Sequence, residues 1–135
     1  MADYFTVPGL SPPPDYAHGA VVKAGERLVF TAGAVPLDAN GALVGAGDFI
    51  AQTEQVLTNL EAALRAAGTD LEHVVNTTVY VVATEQRHLS DVWSVVRASG
   101  LRAKPHTSTL LGVSMLGYTG QLVEITAVAV TGSTQ

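Results

Sequence analysis

The sequence contains no cysteine, and charged residues make up only 14% of its 135 residues. The absence of cysteine excludes disulfide bonds, thiol nucleophiles and thiolate metal ligands. No apolar run approaches the roughly 18 residues that a membrane-spanning helix needs. The N-terminal segment also lacks the basic and apolar regions of a signal peptide, so we expect a cytoplasmic protein with no membrane partner.

Positive charge is scarce as well: seven Lys and Arg residues stand against twelve Asp and Glu residues. Nucleic-acid-binding proteins normally carry a basic stripe that displaces counterions, so we predict no nucleic-acid partner. Hydrophobic residues, in contrast, make up 47% of the chain. In so short a chain, this proportion favours burial of one face against another subunit.

The chain is predicted to form a single domain, residues 16–135, preceded by an irregular arm, residues 1–15. The arm is rich in residues that favour loops, namely Pro8, Gly9, Pro12, Pro13 and Pro14. Two short β-prone segments, residues 17–23 and 27–31, flank a glycine and predict a hairpin.

Two segments carry apolar residues at the spacing of an amphipathic helix. The first runs from Phe49 to Ala67, between a capping residue, Asp48, and a terminating glycine, Gly68. The second follows Thr84 as a candidate N-cap and stops before Gly100.

Three further segments, residues 77–82, 108–113 and 122–130, have the composition of β-strands. The last of them is apolar at both alternating sets of positions, which indicates that both faces of the sheet are covered. Because two helices cover only one face, a second copy of the chain is the simplest cover for the other.

One carboxylate, Glu124, lies within this apolar strand. Burying a carboxylate without a partner costs several kcal/mol, roughly, so the residue needs either a partner or a function. The alternative interpretation is an edge position from which the side chain reaches solvent.

The four histidines, His18, His73, His88 and His106, show no metal-binding spacing, and we predict neither a metal nor a cofactor. An ordinary surface or turn position is the preferred interpretation for each of them. His106 stands out because it follows Pro105 at the start of a predicted strand that also supplies hydroxyl groups.

The order of these segments resembles the RidA/YjgF family over roughly residues 16–130. The similar segments are residues 30–36 (FTAGAVP), 52–60 (QTEQVLTNL), 74–81 (VVNTTVYV), 108–113 (STLLGV) and 122–125 (LVEI). The resemblance implies a chorismate-mutase-like α+β fold, with a mixed sheet and two helices packed on one face. It also implies a homotrimer with small-molecule sites in the clefts between subunits.

Characterised members of this family hydrolyse reactive imines and enamines. In them a glutamate orients water, a tyrosine closes the cleft, and an arginine binds the substrate carboxylate. By resemblance, Glu124 matches the glutamate and Tyr16 matches the tyrosine. The resemblance also implies that Gly33, Ala34 and Gly112 line the site.

The arginine is missing. Its position is taken by Ser108, or by Thr107 if the alignment slips by one residue, and neither makes a bidentate pair with a carboxylate. We therefore expect a cleft in which His106, Thr107 and Ser108 orient an imine, an enamine or a related metabolite without that carboxylate. A non-catalytic metabolite-binding trimer is the alternative, and an endoribonuclease is disfavoured by the acidic charge.

Overall fold

The structure is a computed structural model that describes residues 2–131. It contains six strands and two α-helices: β1 (Asp3–Phe5), β2 (Gly19–Val21), β3 (Arg27–Phe30), α1 (Phe49–Ala66), β4 (Val74–Val81), α2 (Gln86–Ala98), β5 (Thr107–Gly112) and β6 (Val123–Thr131). Two short 3₁₀-helices, Leu71–His73 and Gly100–Ala103, precede β4 and β5. No helix within residues 2–131 is long and apolar enough to cross a bilayer.

The main sheet has the strand order β3–β6–β4–β5. β4 and β5 run parallel, and the other two pairs are antiparallel. α2 makes the crossover between the parallel pair, as such a connection requires. The predicted α+β fold with a mixed sheet is confirmed.

The boundaries of α1 follow from local chemistry. Oδ1 of Asp48 accepts a hydrogen bond from the amide of Ala51 at 3.0 Å, which satisfies a free N–H in the first turn. Gly68 has a φ of 84°, a left-handed conformation that ends the helix at little cost for glycine. The predicted first helix is therefore confirmed to within one residue at its C-terminal end.

The hydrophobic core lies between the helices and one face of the sheet. Its fully buried members come from α1, α2, β4 and β6, among them Leu60, Leu64, Val79, Val92 and Ile125. Along β6 the buried residues alternate with half-buried ones, so the strand presents its other side to the opposite face of the sheet.

This opposite face, called the open face below, is only partly covered by residues 2–131. At one end, the β1–β2 pair packs over Val75 and Val130, and Oη of Tyr4 donates to the carbonyl oxygen of Val74 at 3.0 Å. Elsewhere large apolar side chains reach the surface: Leu28 is 47% exposed and Phe30 is 73% exposed. The composition of β6 already indicated a sheet whose second face needs further cover.

Several predictions about the N-terminal third were wrong. The two β-prone segments do not form a hairpin with each other: β2 pairs with β1, and β3 pairs with β6. Residues 3–5 of the predicted irregular arm form β1, although residues 6–18 contain no helix or strand. Met1 and residues 132–135 lie outside the described residues.

The second helix begins one residue later than expected. Glu85, rather than Thr84, is its N-cap, and the side chains of Glu85 and His88 form a reciprocal capping box. Thr84 still contributes, because its amide donates to Nδ1 of His88 at 3.2 Å.

Candidate functional site

Glu124 lies on the open face, directly opposite Tyr80 of β4. Its Oε1 accepts a hydrogen bond from Nε2 of Gln121 at 3.0 Å. Gln121 is only 3% exposed, and its Nε2 also donates to the carbonyl oxygen of Val123 at 3.1 Å. The carboxylate is therefore held by a buried amide while its residue stays half-buried at the face of the sheet.

The segment containing Gly33 passes directly over this carboxylate. A Cβ atom placed on Gly33 would lie 2.0 Å from Oε2 of Glu124, far inside van der Waals contact, so any larger residue would displace this carboxylate. The next residue, Ala34, exchanges two backbone hydrogen bonds with Ile125, at 2.8 and 3.2 Å. This pairing fixes Gly33 and Ala34 beside Glu124, and their role in lining a site stays a prediction.

Thr107 and Ser108 point to opposite faces of the sheet. Oγ of Ser108 lies 2.7 Å from Oγ1 of Thr77, which is fully buried on the helix-covered side. Oγ1 of Thr107 instead lies 2.9 Å from both Oδ1 of Asn76 and the carbonyl oxygen of Val75. The preferred alignment thus assigns the arginine position to a residue that faces away from Glu124, and the one-residue slip assigns it to Thr107 on the open face.

His106 also turns away from Glu124. The surface or turn position preferred for this histidine was wrong: the residue is 3% exposed, and its Nε2 lies 3.0 Å from Oγ1 of Thr77. Its Nδ1 is buried without a hydrogen bond. Burial lowers the pKa of His106 below its ordinary value of 6.5, against the smaller opposing effect of the backbone carbonyls of Lys104 and Leu101.

Tyr16 lies next to the start of β5, because the amide of Ala17 donates to the carbonyl oxygen of His106 at 3.0 Å. Gly112 lies at the other end of β5, paired with Val81. A Cβ atom on Gly112 would make only ordinary contacts, with Cβ of Ala83 3.7 Å away, so its backbone does not require glycine.

Within one chain, the site residues form two separate groups. Through the strand pairing, Thr107 aligns with Asn76 and Val128, whereas Glu124 aligns with Tyr80 and Leu111. Four residues separate the two rows, which is about 13 Å along the strands, with about 10 Å more across two strand spacings. A small ligand cannot touch both Glu124 and Thr107 of the same chain.

Sequence reasoning missed Gln121. No pattern in the sequence marks it, since a glutamine before an apolar strand is ordinary, and only the fold brings its amide to the carboxylate. Among residues 2–131, no cluster of three histidine or acidic side chains is arranged to hold a metal ion.

The burial of His106 predicts that the protein loses stability in mild acid. In the unfolded chain the ring binds a proton near the ordinary pKa of 6.5, but in the folded protein its pKa is lower. The free energy of unfolding should therefore be retained above that pH and fall below it, by at most about 1.4 kcal/mol per pH unit for one proton. Urea unfolding between about pH 7.5 and pH 5 measures this dependence. A His106→Gln variant with the same slope as the wild type would contradict the assignment.

Comparison with known proteins agrees with this architecture. The family model described as Endoribonuclease L-PSP matches residues 10–131. A protein of the conserved Rid family, YyfB from Yersinia pestis, superimposes with a TM-score of 0.87 at 33% identity, over 96% of this chain and 98% of that one. The chain belongs to the RidA/YjgF family. The YjgF structure from E. coli shares the fold at a TM-score of 0.68 and 26% identity, over 94% of this chain and 92% of that one.

Two curated relatives of this RidA/YjgF chain are similar to different extents. Protein DfrA from Myxococcus xanthus is 36% identical over 85% of this chain and 84% of its own length. The 3-aminoacrylate deaminase RutC from Acinetobacter baylyi is 35% identical, but over only 55% of this chain and 58% of its own length. Family membership therefore supports a RidA-like small-molecule function, while the activity of RutC belongs to RutC.

Proposed function

We propose that the protein hydrolyses a reactive imine or enamine that carries no amino-acid carboxylate, with Glu124 as the group that orients and activates water. The observation that carries the proposal is the arrangement around Glu124. A buried amide holds one carboxylate oxygen, and Gly33 lies so close to the other that an added Cβ atom would displace it.

The reaction is a simple addition of water. The carboxylate accepts a proton from water as the oxygen attacks the imine carbon, and the nitrogen takes a proton from solvent to give a neutral carbinolamine. The carboxylic acid then returns its proton to the nitrogen. The C–N bond breaks as the hydroxyl group loses its proton to the carboxylate, which releases ammonia and a carbonyl compound. An enamine first takes a proton on carbon and loses one from nitrogen to give the imine. No electron transfer is involved, so the chemistry requires no redox cofactor.

The separation of the two groups supports a site built from two copies of the chain. Because Glu124 and Thr107 of one chain lie too far apart for one small ligand, the cleft would combine Gly33, Ala34 and Glu124 of one copy with Tyr16 and Thr107 of the next. The exposed Leu28 and Phe30 on the same open face would be covered by this association. A homotrimer, as the family resemblance implies, provides three such clefts.

The arginine-free cleft determines the substrate class. Thr107 offers a hydroxyl group, already engaged with Asn76, where a carboxylate would need a cation. Ser108 and His106 belong to a hydrogen-bonded group on the buried side, so their contribution would be to position β5 rather than to contact substrate.

We expect Glu124→Gln to reduce hydrolysis of a carboxylate-free imine by about 100-fold or more, because general acid–base groups typically contribute that much. The imine is generated in situ by oxidation of a primary amine, and ammonia release above the uncatalysed rate is measured. The oligomeric state of the protein in the same samples is measured by sedimentation velocity. Turnover unchanged by Glu124→Gln would contradict the catalytic role, and an active single-chain species would contradict the shared cleft.

A second function follows from the missing cation: a cleft that binds a metabolite without converting it. Ligand-dependent stabilisation with no turnover by the wild type would favour this function over hydrolysis. Cleavage of RNA is a poorer fit, since the chain has a net charge of −5.

A further inference from the structure

A cavity lies away from the open face and is called the arm cavity below. It occupies about 690 Å³ between the N-terminal arm, α2 and the 3₁₀-helix Gly100–Ala103. Its size falls within the range of small-molecule sites. Much of its lining is apolar, with Leu10, Trp93 and Leu101 together with several prolines of the arm.

One polar atom of the lining lacks a partner. His106 contacts the arm cavity, and its Nε2 is held by Thr77, so the unpaired atom is Nδ1. The backbone carbonyls of Lys104 and Leu101 favour a proton on the ring. With the proton on Nδ1, the hydroxyl of Thr77 donates to Nε2 and accepts from Ser108, which completes a consistent chain of donors. Because Nδ1 is buried and these carbonyls lie near it, His106 lines the arm cavity without offering a free donor to a ligand.

Positive charge surrounds the same cavity. Arg102 is exposed and makes no ion pair within residues 2–131, whereas Arg97 contacts Asp15 at 3.4 Å. The side chains of Arg97, Arg102 and Asp15 together carry a net charge of +1. The second histidine of the lining, His18, is already engaged: its Nδ1 accepts from the amide of Val7 at 2.8 Å, and its Nε2 lies 3.1 Å from the carbonyl oxygen of Ser11.

We propose that the arm cavity binds a small carboxylic acid with an apolar or aromatic body. The body would pack against Trp93 and Leu101, and the carboxylate would lie close to Arg102. This site does not use Glu124, and it shares only Tyr16 with the proposed cleft, so the variants below test it separately from the proposed hydrolysis.

The chain carries its own reporter, because Trp93 is its single tryptophan. We expect 4-phenylbutyrate to change the fluorescence of Trp93 in a saturable way at millimolar concentration. The neutral 4-phenylbutanamide has the same body and should bind about two- to fivefold more weakly, as expected for an exposed charge. No saturable change, or equal affinity for the acid and the amide, would overturn the proposal.

Two variants locate the site. Arg102→Gln should weaken 4-phenylbutyrate by about two- to fivefold and leave the amide unaffected, because it removes an exposed charge. Arg65→Gln, at an exposed position near the end of α1, is the control and should leave both affinities at the wild-type value. Identical binding of 4-phenylbutyrate by Arg102→Gln and Arg65→Gln would overturn the assignment.

Discussion

Replacing Thr107 by arginine should increase kcat/KM for 2-imino acids by about 10- to 150-fold, the effect of one charge-assisted hydrogen bond. Thr107 lies on the open face, the face that carries Glu124, and an arginine there would point into the proposed cleft. Its guanidinium would then pair with the carboxylate that the wild-type cleft has no cation to bind.

Ser108→Arg is the matched control, since it introduces the same charge one residue along the strand. Ser108 faces the buried hydroxyl of Thr77, so the guanidinium would be forced among core side chains without an anionic partner. We expect a lower free energy of unfolding and no gain in activity. Both variants are compared with 2-imino acids formed in situ by an amino-acid oxidase. A gain for Ser108→Arg but not for Thr107→Arg would show that the assignment of faces is incorrect.

Replacing Gly33 by alanine should reduce turnover by about 100-fold, the typical penalty when a catalytic group is displaced by about 1 Å. The new methyl carbon, which is the Cβ atom, would lie 2.0 Å from the present position of Oε2 of Glu124. The carboxylate must rotate away, and the hydrogen bond from Gln121 is then lost.

The effect on folding should be small by comparison. The displaced atoms belong to the end of a flexible, half-buried side chain, so we expect a loss of about 1 kcal/mol in the free energy of unfolding, the value of one hydrogen bond. Gly117→Ala is the control, since a Cβ atom there meets no atom within 4 Å. Wild-type kcat/KM in Gly33→Ala would mean that the position of Glu124 does not matter for the reaction. Loss of activity in Gly117→Ala would mean that the effect is not specific to the carboxylate.

Features that depend on neighbouring residues were predictable from the sequence. Asp48 and Gly68 bound α1 because capping involves residues only a few positions apart. Glu124 was recognisable because a carboxylate in an apolar strand is costly wherever that strand lies. The need for further cover over the second face was also predictable, since the period of two in β6 holds in any sheet.

Pairing between distant segments could not be predicted in this way. Residues 17–23 and 27–31 are compatible with a hairpin, but their actual partners are β1 and β6, at the two ends of the chain. Several β-prone segments compete for each edge, and only packing of the whole sheet selects among them. The contacts of Glu124 with Gly33 and Gln121 arise from the same selection.

The choice between Thr107 and Ser108 shows most directly what the sequence determines and what only the fold decides. The sequence by itself determined the family resemblance, the two helices, the catalytic candidate and the absence of the arginine. It left the register of β5 open by one residue, and in a strand a shift of one residue moves a side chain to the opposite face. Only the tertiary structure decided that Thr107 shares the open face with Glu124 while Ser108 joins Thr77 and His106 in the interior. The physical reason is that capping and periodicity act within a segment, whereas the face that a residue occupies is set by the strands and helices that pack around it.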